Sequence, residues 1–425
     1  MKKINLDNPA LKKAFSAFLF LSAVFLLLFF RNPRLFVYPE PWAEDMRIFL
    51  SQEYNTGFPG TAFALYAGYI HLLPRIIAWI SLKFGLYEAM RVMNLTVLLI
   101  KILLFWLIYR SNEIRAGVIK FSLIAYLVLL PFADEVCNNV TNLQWWLIPL
   151  MAIVIIRHET SAAGLLFSCI VLLLCGLTGI NSFLFALPCA YLLFEMRTRE
   201  CLIKSAIVIC CSAVQFYCLF TSPRIGQLVY EGSTLDIIYT FVNRVIYHTL
   251  FNFDSEKRWN ILVFLIYLAM LVLNFWHYRR SVLVRFIYLF SGVYLVAILY
   301  NFMKYLPATF GQTDFHAIIT GFIHERYFVF LRICSFMLLV SSLDIMFRHL
   351  SQLLGNHKYY RRFVSYSVCL LCAVMLAHYH VSMPTPFEYN YYTDLEKFEK
   401  AKPGETVKFH FPPGWNHDLV KKQDD

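Results

Sequence analysis

Long apolar runs separated by short polar connections dominate this chain, and their length decides what they are. About 20 consecutive apolar residues are enough for a helix to cross a hydrocarbon core about 30 Å thick. Read this way, the pattern predicts helices at about 14–30, 86–109, 117–133, 143–156, 161–176, 180–195, 201–220, 259–277, 282–303, 326–347 and 362–380, about eleven spans. Several middle runs are short for a full crossing, which predicts tilted or broken helices there. One more apolar stretch, TAFALYAGYIHLLPRIIAWISLK (61–83), carries His71, Pro74 and Arg75 at its centre. A free span bears such residues only at a cost of several kcal/mol. The stretch therefore reads as one or two helices lying in the membrane–water interface, within a first outer loop from about 31 to 85. Further outer loops cover 221–258 and 304–325. The expected organisation is an all-α membrane protein, polytopic over 1–380, with a short polar tail over 381–425 that is too small for a core of its own.

Composition supports this layout. The 425 residues are 59% hydrophobic and 15% charged, more apolar surface than a soluble chain of this size hides. The bilayer is the natural solvent, and the aromatic load of 40 Phe, 26 Tyr and 8 Trp suits interfacial belts. In a soluble protein the net charge of +11 would point to nucleic acid. Here the basic residues orient the chain, and no nucleic-acid partner is expected. Lys2, Lys3, Lys12 and Lys13 put the N-terminus in the cytoplasm. Arg110, Arg157, Arg197, Arg279 and Arg348 then fall in connections facing inward, while 134–142 and 177–180 hold no Lys or Arg. The N-terminal run lacks a small-residue cleavage site and reads as a retained helix. The eleven cysteines lie mostly within apolar segments, as small hydrophobes.

Against this background a few polar clusters stand out. WAEDMRIFLSQEYNTG (42–57) sets Glu44 and Asp45 side by side just after the first span. Adjacent positions point in different directions, so one acid faces a cleft while the other orients it or favours the dipole of the helix that follows. In LYAGYIHLLPRIIAWI (65–80), Tyr66, Tyr69, His71 and Arg75 form a polar, aromatic stripe at near-helical spacing. That is either a snorkelling interfacial helix or a platform for a phosphate or a sugar. DEVCNNVTNLQWW (134–146) joins acids and amides, Asn142 among them, to Trp145. Such a loop suits a hydroxyl-rich ligand, and equally an ordinary turn with a helix cap. In GFIHERYFVF (321–330), His324, Arg326 and Tyr327 stand where an outer loop enters a helix. There Arg326 can bind phosphate, pair with Glu44 or Asp45, or anchor the interface. Trp415 follows the rigid turn Pro412-Pro413-Gly414 and can close over an outer cleft or rest on the membrane surface. Glu44 and Asp45 can hold a divalent ion, yet no further oxygen ligands cluster near them, so no cofactor or metal is expected. Nucleotide loops, zincin motifs and nucleophile elbows are absent.

The stretches WAEDMRIFLSQEYNTG, YAGYIHLLPR, NLQWWL, HERYF and PPGW, spread over the whole length, give the chain a resemblance to GT-C membrane glycosyltransferases. It is most similar to the bacterial, often phage-borne, glucosyltransferases that modify O-antigen and convert serotype. The resemblance implies a polyprenyl-phosphate sugar as donor at the periplasmic face of the inner membrane, glucose being the best guess. It implies a hydroxyl of O-antigen or a related lipid-linked glycan as acceptor. It also implies a carboxylate base, Asp45 first and Glu44 second. Arg326, Arg75 and His324 would bind the donor phosphate. Tyr66, Tyr69, His71, Asn142, Trp145, Tyr327 and Trp415 would contact sugar or lipid. Some relatives carry a large folded C-terminal domain, whereas this tail is short. Rival readings are a flippase for a lipid-linked sugar, with polar residues at mid-membrane and alternating access, and an O-antigen polymerase or ligase built on outer-loop Arg and His. A receptor role fits least well with an outward cleft of acids, Arg and aromatics.

Overall fold

The computed structural model describes residues 9–114, 117–130, 136, 138–222, 234–251, 257–302, 325–353, scattered positions between 363 and 376, and 389–423. In chain order the helices are α1 (Pro9–Arg31), α2 (Arg34–Val37), α3 (Ser51–Thr56), α4 (Leu72–Leu82), α5 (Leu86–Arg110), α6 (Gly117–Leu129), α7 (Leu143–Ile156) and α8 (Ala162–Gly176). They continue with α9 (Asn181–Met196), α10 (Arg199–Thr221), α11 (Thr234–Phe241), α12 (Asn260–Tyr278), α13 (Val282–Phe302), α14 (Val329–Leu353) and α15 (Tyr391–Lys400). Two antiparallel hairpins interrupt them, β1 (Leu65–Tyr66) with β2 (Tyr69–Ile70) and β3 (Thr406–Phe411) with β4 (Trp415–Val420).

The chain is mostly helical and embedded in a membrane by the measure of its helices. Among the described residues six helices are long and apolar enough to cross: α1, α5, α10, α12, α13 and the segment Glu325–Leu353 containing α14. Large apolar side chains such as Ile261, Leu265, Val272 and Trp276 on α12 are exposed, which suits lipid and would be costly in water. Four more expected spans form helices of 13, 14, 15 and 16 residues, α6 to α9. At 1.5 Å per residue these rise roughly 20–24 Å, short of a perpendicular crossing. The expected helix at 362–380 lies largely outside the described residues.

The polar interior stitches the helices to the first long loop. Gln215 on α10 bonds the backbone of Ile70 twice, accepting from its N–H at 2.9 Å and donating to its carbonyl at 3.0 Å. The Thr178 hydroxyl accepts from the Leu73 N–H at 2.9 Å, and the Gly179 N–H donates to Ile70 at 2.9 Å. Such polar residues between apolar helices act as glue because hydrocarbon offers backbone groups no other partner.

One expectation is corrected here. Residues 61–83 are not helical throughout: a hairpin precedes the single helix α4. The sequence Tyr66-Ala67-Gly68-Tyr69 makes its turn, with Ala67 at φ 58° and Gly68 at φ 85°, the positive pair that a tight two-residue hairpin turn demands. Among the described residues the tail forms one helix, α15, and one hairpin, β3–β4. α15 packs on the β3–β4 hairpin and buries Tyr391, Leu395, Phe398, Phe409, Phe411 and Leu419. Those side chains continue the main core, so a short segment gains by docking what it cannot supply alone.

Candidate active site

The loop after α1 turns sharply at Ala43, with φ 39°, and then runs through a π-helical turn, Asp45–Leu50. Wide turns of this kind are frequent at functional sites. Glu44 and Asp45 leave this turn in different directions, as adjacency requires. Asp45 is fully buried. Its Oδ1 accepts from the Thr141 N–H at 2.7 Å and hydroxyl at 2.6 Å, and its Oδ2 from the Trp42 N–H at 3.3 Å. Burial pushes its carboxyl up to about 7, against the pull of the Thr141 and Trp42 bonds. Glu44 is half-buried and accepts a 2.9 Å bond from the Tyr66 hydroxyl.

Behind Tyr66 lies a packed aromatic cluster around His71 and Arg75. The His71 ring lies 4.8 Å from Tyr69, 5.6 Å from Phe49 and 5.7 Å from Tyr66, centroid to centroid. It is 3% exposed, and among the described residues neither ring nitrogen has a hydrogen-bond partner. Burial, with the Arg75 charge one helical turn on, pulls its pKa down to about 3, so the imidazole is neutral. Arg75 is wholly buried, with its guanidinium 5.4 Å from the Phe49 ring centroid. It donates only long bonds, 3.3 Å to Ile48 and 3.4 Å to Ala64, and its Nε is unpartnered. Among the described residues no carboxylate forms an ion pair with it. Glu53 favours its charge from beyond that distance, with one Glu53 oxygen accepting from Thr61. Of the two readings of this stripe, the snorkelling one does not hold: the hairpin folds Tyr66 and Tyr69 over His71, and Arg75 is wholly buried.

The other expected residues group around this cluster in part. Asn142, buried at the start of α7, is next to Thr141, so the amide-rich loop does reach the acid pair. Trp145, one turn further, packs edge-on to Tyr327 at 5.0 Å. Arg326, half-buried, lies over the Tyr327 ring at 5.3 Å. Among the described residues neither Glu44 nor Asp45 forms an ion pair with Arg326; Glu44 accepts from Tyr66, and Asp45 from Thr141 and Trp42. His324, Asp134 and Glu135 lie outside the described residues. Trp415 stands 5.4 Å from the Arg47 guanidinium, and the Pro412 carbonyl before it accepts a 2.8 Å bond from the Ala43 N–H. The C-terminal hairpin therefore clasps the acid turn.

Sequence reasoning missed Thr141, Arg47 and a buried ionic network. Glu325 binds Arg244 at 2.7 Å and also pairs with Arg332, while His248 lies 3.7 Å from the same carboxylate. Arg332, in the middle of an apolar run, was the available signal. Thr141 had none, since an uncharged loop residue looks like any other. Among the described residues no three His, Cys, Asp or Glu side chains converge as metal ligands. No protein-family model matches the chain, and no curated protein matches it significantly.

Proposed function

We propose that the protein transfers a sugar from a polyprenyl-phosphate donor to a hydroxyl of a surface glycan such as O-antigen, at the outer face of a bacterial inner membrane. In this reading the chain has a GT-C layout of about eleven spans, with its N-terminus cytoplasmic and the tail hairpin periplasmic. The observation that carries it is the buried Arg75, without an ion pair among the described residues, beside His71, whose ring nitrogens find no hydrogen-bond partner among them, in the same aromatic cluster as the half-exposed Glu44. A buried cation without a counter-ion is costly; an anionic ligand relieves that cost. Arg75 supplies charge to the leaving phosphate, and neutral His71 donates one N–H. Tyr66, Tyr69 and Trp145 offer aromatic faces and hydroxyls to sugar or lipid.

The acceptor oxygen attacks the anomeric carbon as its proton passes to a carboxylate. The bond from that carbon to the phosphate oxygen breaks, and the polyprenyl phosphate leaves with the electron pair. A base must lie within hydrogen-bond reach of the proton it takes. Burial of Asp45 and its bonds to Thr141 favour Glu44 for that role, reversing the order the sequence suggested. Asp45 then positions the turn. No metal is assigned to the pair.

Radiolabelled sugar offered on polyprenyl phosphate tests this in membranes carrying wild type, Glu44→Gln or Arg75→Met. Transfer to polysaccharide by wild type, lost in Glu44→Gln at equal protein level, is expected. Full transfer by Glu44→Gln ends the assignment of the base. A flippase is the rival that the Arg244–Glu325–Arg332 network inside the bundle favours. It would move labelled lipid across the bilayer and label no polysaccharide.

A further inference from the structure

A second concavity touches the Glu44–Arg75 site only through Glu53, which favours the Arg75 charge from a distance, and it serves no step of the reaction above. It has a volume of about 460 Å³ and lies between the first long loop and the C-terminal cap. One wall is Trp79 stacked on Phe58, with centroids 5.0 Å apart. The other is Tyr54 meeting Phe398 edge-on at 5.9 Å. Three ammonium groups overlie these rings: Lys83 at 5.7 Å from Trp79, Lys421 at 5.1 Å from Phe398 and Lys422 at 5.0 Å from Tyr54. Among the described residues none of the three forms an ion pair. Glu53 and Glu399 also line the space, so it carries both signs of charge.

Its setting narrows the ligand. Gly85, on the pocket wall, joins α4 to α5, and α5 is long and apolar enough to cross a membrane. Around that corner Ile80, Phe84 and Tyr87 are 42%, 61% and 45% exposed. The pocket thus opens beside an apolar lip at the mouth of a span, where lipid headgroups lie.

We propose that this pocket binds the zwitterionic headgroup of a membrane phospholipid. The phosphate sits among Lys83, Lys421 and Lys422, for which lysine is a suitable point charge. The ammonium turns to Glu399 and the aromatic faces. The acyl chains follow Ile80 and Phe84. The lipid bridges the loop to the cap, whose far end bonds Ala43 beside the acid pair, so occupancy tightens the clasp.

The test uses the full chain purified in detergent and stripped of lipid. Thermal midpoints are read after adding phosphatidylethanolamine, phosphatidylglycerol or inorganic phosphate, for wild type and for the triple variant Lys83→Ala, Lys421→Ala, Lys422→Ala. The expected result is a rise of roughly 3 °C or more with phosphatidylethanolamine in wild type alone. Lipid retention counted by native mass spectrometry is expected to fall at least about tenfold in the triple variant. Equal stabilisation of both proteins overturns the site and leaves only bulk lipid. An equal effect of phosphatidylglycerol overturns the zwitterion assignment, and an equal effect of phosphate alone overturns the lipid. Should the triple variant not fold, Lys421→Gln carries the same comparison. None of these readings involves sugar transfer, so failure here leaves the proposed reaction standing, and the reverse holds too.

Discussion

Glu44 and Asp45 are neighbours with opposite fates, and each predicts its own behaviour. Glu44 keeps solvent access and one bond to Tyr66, so Glu44→Gln retains the local structure and loses the proton acceptor. Transfer is expected to fall about 10²–10⁴-fold, the usual worth of a general base, measured as labelled polysaccharide. Asp45→Asn is expected to retain more transfer than Glu44→Gln in that assay. Its other signature is in stability. Burial raises the Asp45 carboxyl from 3.8 to about 7, so over that window the folded chain holds a proton that the unfolded chain has released. The group's contribution is therefore fully present below about pH 4 and is lost as pH rises to about 7. That window corresponds to roughly 4 kcal/mol. Thermal melts across it should slope downward for wild type relative to Asp45→Asn; parallel curves would remove the raised carboxyl from the account.

At the scale of elements, the acid turn is held from two sides. The loop before α7 reaches it through Thr141, and the C-terminal hairpin through Pro412 and Trp415. The cap is anchored further by the Tyr392 hydroxyl, which donates to Pro39 at 3.0 Å, and by the Lys422 N–H, which donates to the Tyr54 hydroxyl at 3.0 Å. Trp415→Ala deletes one cation–π contact, worth about 0.5–1 kcal/mol at a partly exposed position. Amides of residues 42–50 are then expected to exchange roughly 2–5-fold faster by hydrogen–deuterium mass spectrometry. Unchanged exchange would mean that the hairpin rests on the turn without holding it. The β1–β2 hairpin depends on Gln215 in the same way, since a two-residue ladder alone has too few bonds to persist.

For the whole molecule, the decisive feature is charge enclosed among apolar helices. Arg332 and Arg244 share Glu325, joining α14 to the π-helical turn after α11. Removing one partner of a buried pair strands the rest, at about 3–5 kcal/mol. Arg332→Leu is expected to lower the yield of folded, detergent-stable protein sharply, read by fluorescence-detected size exclusion. A yield equal to wild type would deny the network a structural role.

The sequence by itself determined the helical, membrane-embedded class, because apolar run length is a one-dimensional property that the bilayer reads directly. It located α5, α7, α8 and α12 to within a residue or two for the same reason, and it picked out Glu44, Tyr66, His71 and Arg75 as chemistry stranded in apolar surroundings. Crossing was less legible, since α6 to α9 are largely apolar yet too short, and length alone does not give tilt. The side-chain directions belonged to tertiary structure. A two-residue turn at Ala67-Gly68 converts a helical spacing into a hairpin and folds two tyrosines over His71. Burial is a property of the assembled neighbours, so only the packed molecule could sink Asp45 onto Thr141, nearly a hundred residues away in sequence, and leave Glu44 accessible. The tail gained a core from the same source: its aromatics are too few to fold alone, and they become ordered by extending an interior that the rest of the chain had already built.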